Sequence, residues 1–223
     1  AANTVIEENT FDCTSARPNR RAIVCSNIGS LVLGDLSDDL PNEASPLRII
    51  RNSLLNHGRG ITVSNAGNAW VDGNEIFIPA SPGIATYGIS LESSSISDVT
   101  LNRIEGANGN ISISEGVKLH LSQNVDVHDN CLEDLGRGIS AGGPNIGSIF
   151  FRNAFIANLT GFYLHDFGVT GTNRYIYNDP IAQQGFWMPQ DNGWFNMPAY
   201  GSQLHSYNSL GHMSAWLFRS PPY

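Results

Sequence analysis

One phrase recurs through most of this chain and restricts what it can fold into. Two alternating apolar residues lead to an asparagine and a further apolar pair. After a variable loop, a Gly-Ile pair opens another short strand. The clearest copy is Val125-Asp126-Val127-His128-Asp129-Asn130-Cys131-Leu132, followed by Gly138-Ile139-Ser140. Asn52, Asn74, Asn102, Asn130, Asn153 and Asn178 mark the series, at spacings of 22, 28, 28, 23 and 25 residues. Gly60-Ile61, Gly88-Ile89, Gly116-Val117, Gly138-Ile139, Gly161-Phe162 and Gly185-Phe186 keep step with it. Asn9 and Ala22-Ile23-Val24-Cys25 look like the first members of the two series, and residues 31–46 form a degenerate coil or an excursion.

A period of this length, carrying short alternating strands without helical periodicity, predicts a stacked β-solenoid. Strands of three to five residues are unstable alone, but stacking places like side chains above one another and buries a continuous core. Asparagine tolerates the left-handed backbone that a sharp corner requires, and stacked asparagines can hydrogen-bond along the axis. Leucine-rich repeats share the period, but their Leu-x-x-Leu-x-Leu pattern is absent. The competing reading is an antiparallel sandwich with regular turns. From about residue 182 the texture changes, and Trp187, Trp194 and Trp216 concentrate there. We therefore expect a solenoid over 1–190 and a capping segment over 191–223 that covers the open edge of the last coil. No comparable cap precedes the first coil. That coil is expected to stack on a neighbouring molecule, or else to follow further chain.

Composition narrows the partners. The 223 residues are 41% hydrophobic and only 14% charged, so the surface must be built from Asn, Ser, Thr and Gly. A net charge of −8, with Lys118 the sole lysine, argues against nucleic acid, which requires a basic stripe. No apolar run has the roughly 18 to 20 residues that cross a bilayer, so membrane insertion is not expected. Ala1-Ala2-Asn3-Thr4 does not resemble a signal peptide; in an exported chain the signal would already be gone. Cys13, Cys25 and Cys131 form no zinc-like spacing, and Asp35, Asp38 and Asp39 read as a polar loop rather than a calcium site. No metal or cofactor is expected. Cys13 and Cys25 are either a disulfide or two small core residues. Asn110 and Asn158 fit the glycosylation pattern, which arises easily by chance in an Asn-rich chain.

The Val-x-Val-x-x-Asn-x-apolar phrase, variable loop and Gly-Ile-x-apolar phrase resemble the repeat of right-handed parallel β-helices of the pectate-lyase-like superfamily. The resemblance covers roughly residues 3–190. It implies an all-β, single-stranded right-handed parallel β-helix of about seven coils, secreted or on the cell surface. That superfamily includes lyases, hydrolases, epimerases, phage tailspikes and proteins without catalysis, so the fold alone does not name an activity.

In such proteins substrate lies against the strand after the variable loop, here the Gly-Ile strand. With Ile61, Ile89, Val117, Ile139, Phe162 and Phe186 inward, alternation turns out Thr62 and Ser64, Ser90 and Glu92, Lys118 and His120, Ser140 and Gly142, Tyr163 and His165, and Trp187 and Pro189. Glu92, Lys118, His120, Tyr163 and His165 then share a patch flanked by Trp187. The preceding loops add Arg59, Asp134 and Arg137. On a uronic-acid polysaccharide, β-elimination needs a cation for the carboxylate, a base for the C5 proton and an acid for the leaving oxygen. Arg137 or Arg59 would neutralise the carboxylate, Lys118 or His120 would be the base, and Tyr163 or His165 the acid, with Glu92, Trp187 and Asp134 holding substrate.

Against this stands a bland reading in which Glu92 and Lys118 are a solvated cross-coil ion pair worth less than about 1 kcal/mol. Hydrolysis would need two suitably spaced carboxylates. Asp129, Asp134 and Asp166 are available, but the tandem aspartates of polygalacturonases are absent. The non-enzymatic alternatives are a carbohydrate-binding module stacking sugar on Tyr163 and Trp187, and an extracellular structural subunit. The latter would assemble a filament, surface layer or spike by end-to-end stacking of coils.

Overall fold

In a computed structural model of the chain, the described residues are 4–27, 47–80, 84–107, 114–145 and 147–169, with short strands at Phe186–Trp187, Gly193–Phe195 and Leu204–Ser206. The described residues contain strands and no helix. The strands pair in parallel and stack on three faces that the chain visits in turn, the architecture of a parallel β-helix. The first face comprises Thr4–Glu7, Leu47–Ile50, Ala69–Asp72, Ser95–Thr100, Gln123–His128, Ile149–Phe151 and Phe186–Trp187. The second holds Glu75–Ile78, Arg103–Gly106, Cys131–Glu133, Ala154–Ile156 and Gly193–Phe195. The third holds Thr86–Glu92, Ser114–His120, Arg137–Pro144, Thr160–Val169 and Leu204–Ser206. The strand Ser53–Ser64 serves two faces. Its start pairs with Glu75–Ile78 and its end with Thr86–Glu92, bending at Asn56, where φ is 63°.

Each face sends apolar residues into the core in aligned rows. Ile49, Val71, Val99, Val127 and Phe150 align on the first face, and Leu54, Ile76, Ile104, Leu132 and Phe155 on the second. Ile61, Ile89, Val117, Ile139 and Phe162 align on the third. All are buried. The core widens to aromatics at its C-terminal end, where Phe150 and Phe162 meet edge to face with centroids 4.8 Å apart.

The asparagines form a continuous hydrogen-bonded ladder. The side-chain oxygen of Asn102 accepts both the backbone N–H and the side-chain N–H of Asn74, at 3.0 and 2.9 Å. Asn130 does the same for Asn102, Asn153 for Asn130, Asn74 for Asn52 and Asn52 for Asn9. The second amide hydrogen of Asn102 reaches the Thr100 and Val71 carbonyls at 2.8 and 2.9 Å. Asn178 lies outside the described residues. Axial bonding is as expected, but the corner conformation is not carried by asparagine. Positive φ falls on the preceding residue: Glu8, Arg51, Gly73, Leu101, Asp129 and Arg152, at 51–62°. Asparagine sits here because its side chain can reach inward to donate and accept at once, so the neighbour absorbs the strain.

The Gly-Ile phrase has an equally physical cause. A Cβ on Gly60 would lie 2.4 Å from the Gly88 carbonyl oxygen, and one on Gly116 would lie 2.5 Å from that of Gly138. The coils approach too closely for any side chain there. A lesser ladder runs through Ser94, Ser122 and Asn145 at the corner after the third face.

The structure bears on three features read in the sequence. Gly193–Phe195 pairs with Ala154–Ile156, and Leu204–Ser206 pairs with Thr160–Val169, so strands of the stack reach into the segment expected to be a cap; the rest of that segment lies outside the described residues. Cys25 is a free thiol buried in the core, and burial raises its pKa; Cys13 is buried with its sulfur 3.8 Å from the Arg20 guanidinium. Asn158 is buried, accepting from Leu135 N and donating to the Leu132 carbonyl, and so is closed to glycosylation; Asn110 lies outside the described residues.

Asn102→Ala removes an acceptor for two buried donors of Asn74 and should lower unfolding free energy by about 2 to 4 kcal/mol in urea titrations. Leu101→Gly, at an exposed side chain with φ 55°, should instead raise stability by about 1 kcal/mol, because glycine adopts that backbone without steric cost.

Candidate functional site

The outward side of the third face carries the densest array of chemically useful side chains suggested by the sequence. Register aligns Thr62, Ser90, Lys118, Ser140 and Tyr163 in one row, continued by the backbone of His205. A second row holds Ser64, Glu92, His120, Gly142 and the backbone of His165. Lys118 and His120 therefore share one face, as strand alternation requires, and the backbone of His165 continues the row of His120. Coils are about 4.8 Å apart, and Gly142 interposes one coil between the two histidines.

A third row precedes the Gly series: Arg21, Arg59, Tyr87, Glu115, Arg137 and Thr160. Arg59 and Arg137 thus belong to strands and not to the loops where the sequence suggested them. Tyr87 and Glu115 were missed altogether. Their signal was present, since each stands immediately before a glycine of the Gly-Ile series, as Arg59 and Arg137 do.

Tyr87 organises the patch. Its ring is 6% exposed, and its hydroxyl lies 3.0 Å from the Thr62 hydroxyl. The Arg59 guanidinium lies 5.8 Å from the ring centroid and the Lys118 ammonium 5.9 Å, both within reach of the π quadrupole. Among the described residues neither cation has a carboxylate partner, and the buried Nε of Arg59 has no hydrogen-bond acceptor. Arg137 is different. Its guanidinium lies 3.9 Å from the Tyr163 ring centroid and donates to buried Glu115 at 2.9 Å, so its charge is already matched.

The Glu92–Lys118 ion pair of the bland reading is not formed. Register sets Glu92 opposite His120 and Lys118 opposite Ser90, and Glu92 accepts from the Ser90 hydroxyl at 3.3 Å. Trp187 does not flank the patch. It pairs with Phe150 on the first face, and Leu204–Ser206 supplies the next strand of the third face. Gly185-Phe186-Trp187 mimics the Gly-Ile phrase, yet its aromatic pair extends the Ile149–Phe151 strand. Asp134 sits at the corner before Arg137 with φ 53°, donating its backbone N–H to the Ile156 carbonyl, outside these rows.

The model of the family described as NosD, periplasmic copper-binding protein, matches residues 8–185. The chain belongs to the NosD family. No curated protein and no solved structure matched it. The matched span contains every described strand from Thr10–Ser26 to Thr160–Val169, so the family repeat and the stacked coils coincide. The copper in the NosD description can be set against the donor atoms. Among the described residues no three His, Cys, Asp or Glu side chains converge as metal ligands. Both ring nitrogens of His128 face carboxylates, at 3.0 and 2.6 Å, and leave no lone pair for copper. Met188, Met197 and Met213 lie outside the described residues. The described donors do not fit a copper site.

Glu115→Gln removes the charge that matches Arg137 and should destabilise the protein by about 1 to 3 kcal/mol in denaturant unfolding.

Proposed function

We propose that this NosD-family β-helix works outside the cytoplasm and binds an acidic polysaccharide along its third face, a sugar carboxylate lying between Arg59 and Lys118 above Tyr87. The observation that carries the reading is the convergence of two cations on one aromatic ring without a carboxylate partner among the described residues. A half-buried cation without a counter-ion is an electrostatic cost that an anionic ligand repays, and buried Tyr87 holds the two cations beside one ring. Arg137, held at the Tyr163 ring and paired with Glu115, offers a second, charge-matched platform one coil further on. Glu92 and His120 would contact ring hydroxyls from the adjoining row. The periplasmic placement of the NosD family supports the location.

The test is calorimetric titration with polygalacturonate, with dextran as the neutral control. Binding should occur only to the acidic polymer and weaken with salt. Arg59→Ala and Lys118→Ala should each cost roughly ten- to a hundredfold in affinity, the worth of one charge-assisted hydrogen bond, while thermal melts confirm folding. Equal binding of dextran, or variants that bind as tightly as the parent, would sink the proposal.

The placement of Lys118 and His120 in adjoining rows beside Arg59 also favours a β-elimination reading in which one of them takes the C5 proton. Ultraviolet absorbance from an unsaturated product on polygalacturonate would support it. Binding without new absorbance would leave a non-catalytic module.

A further inference from the structure

The first face carries a cluster of titratable groups that the polysaccharide site does not use. Its outward positions include Asp72, Asp98, Thr100, Asp126 and His128, all buried. Register places His128 opposite Thr100 in the preceding coil, and Thr100 opposite Asp72 in the coil before that. Asp98 and Asp126 pair in the neighbouring row.

His128 is held on both sides. Its Nε2 lies 3.0 Å from Asp98 Oδ1 and its Nδ1 2.6 Å from Asp129 Oδ2, with the Thr100 hydroxyl 3.2 Å from the same Nδ1. The Nε2 contact lies at ion-pair distance from a carboxylate that is itself buried. Asp129 is gripped in turn by Arg152 of the next coil, whose Nε donates to Oδ1 at 2.8 Å. Arg51 and Asp72 complete the surrounding charges.

We propose that His128 is a proton-operated clamp that ties three successive coils together through Asp98, its own ring, Asp129 and Arg152. The argument is one of donors. Two carboxylates facing the two nitrogens of one imidazole require two N–H groups, which only the imidazolium has. The neutral ring carries one, so loss of the proton turns one contact into an acceptor–acceptor clash and leaves a buried carboxylate uncompensated.

The titration behaviour agrees with that geometry. Burial by itself lowers the His128 pKa, but the contacts and charges of Asp98 and then Asp129 outweigh it and hold the pKa above the ordinary histidine value. A raised folded-state pKa means that the clamp's stabilisation is fully present below the unfolded value of about 6.5 and disappears as pH rises through the folded one. Asp72 is raised as well, by burial first and by Asp98 second, so it too favours the acid side. Burial raises the Asp129 pKa, but hydrogen bonds from Arg152 and His128 outweigh that, so Asp129 sets the acid limit.

Two measurements on the whole chain test the clamp. Nuclear magnetic resonance should show the His128 ring, assigned by loss of its signal in His128→Gln, titrating above pH ~6.5. Hydrogen exchange, corrected for intrinsic pH dependence, should show strands Ser95–Thr100 and Gln123–His128 losing protection across that same titration. Asp98→Asn, which keeps shape and removes one charge, should move the titration and the loss of protection together to lower pH. A ring that titrates at or below ~6.5, protection that does not follow the ring, or a midpoint unmoved in Asp98→Asn would each overturn the proposal.

Discussion

Every part of this molecule depends on bonding along the solenoid axis. A single coil has three strands of a few residues each and no partner within itself for their N–H and C=O groups. Those groups are satisfied only by the coils above and below, which makes inter-coil register the quantity that positions everything else. The asparagine ladder is where that register is most stringently specified. Each side chain accepts two donors from one coil while donating to carbonyls of its own and the preceding coil, so a slip of one residue would strand several buried polar groups at once.

The glycines impose the complementary constraint. Where the ladder pulls coils together, Gly60, Gly88, Gly116 and Gly138 let the backbone pass within a distance no side chain permits. The following Ile or Val then falls inward at the same height in every coil, and the rows of the third face follow as a geometric consequence. Chemistry on that face is therefore periodic. A side chain's neighbours are the residues one repeat earlier and later, which is how Arg59, Tyr87 and Lys118 from three coils come to share one ring.

The same axial logic explains why ionisable groups are used differently on two faces. On the third face the cations lie over aromatic surface and two of them lack carboxylate partners among the described residues, a surface suited to an anion. On the first face Asp98, His128, Asp129 and Arg152 neutralise one another along the axis. One arrangement leaves charge to offer a ligand. The other consumes it within the stack.

Much of this was legible in the chain. The recurrence of asparagine and Gly-Ile determined the stacked parallel strands, the inward rows and the shared face of Lys118, His120 and Tyr163, because those follow from strand alternation and a constant repeat. Three-dimensional register alone decided the rest. Strain at the corners moved from asparagine to its predecessor, since the amide must point inward to bond. Trp187 joined the first face, because an aromatic pair after glycine fits either face and only hydrogen bonding to Ile149–Phe151 chooses. Tyr87 and Glu115 emerged as central because Arg59 and Arg137 occupy their row in neighbouring coils, and Asp98 found His128 thirty residues away. Local pattern sets which way each side chain points; only the height of each coil on its neighbour sets what it meets.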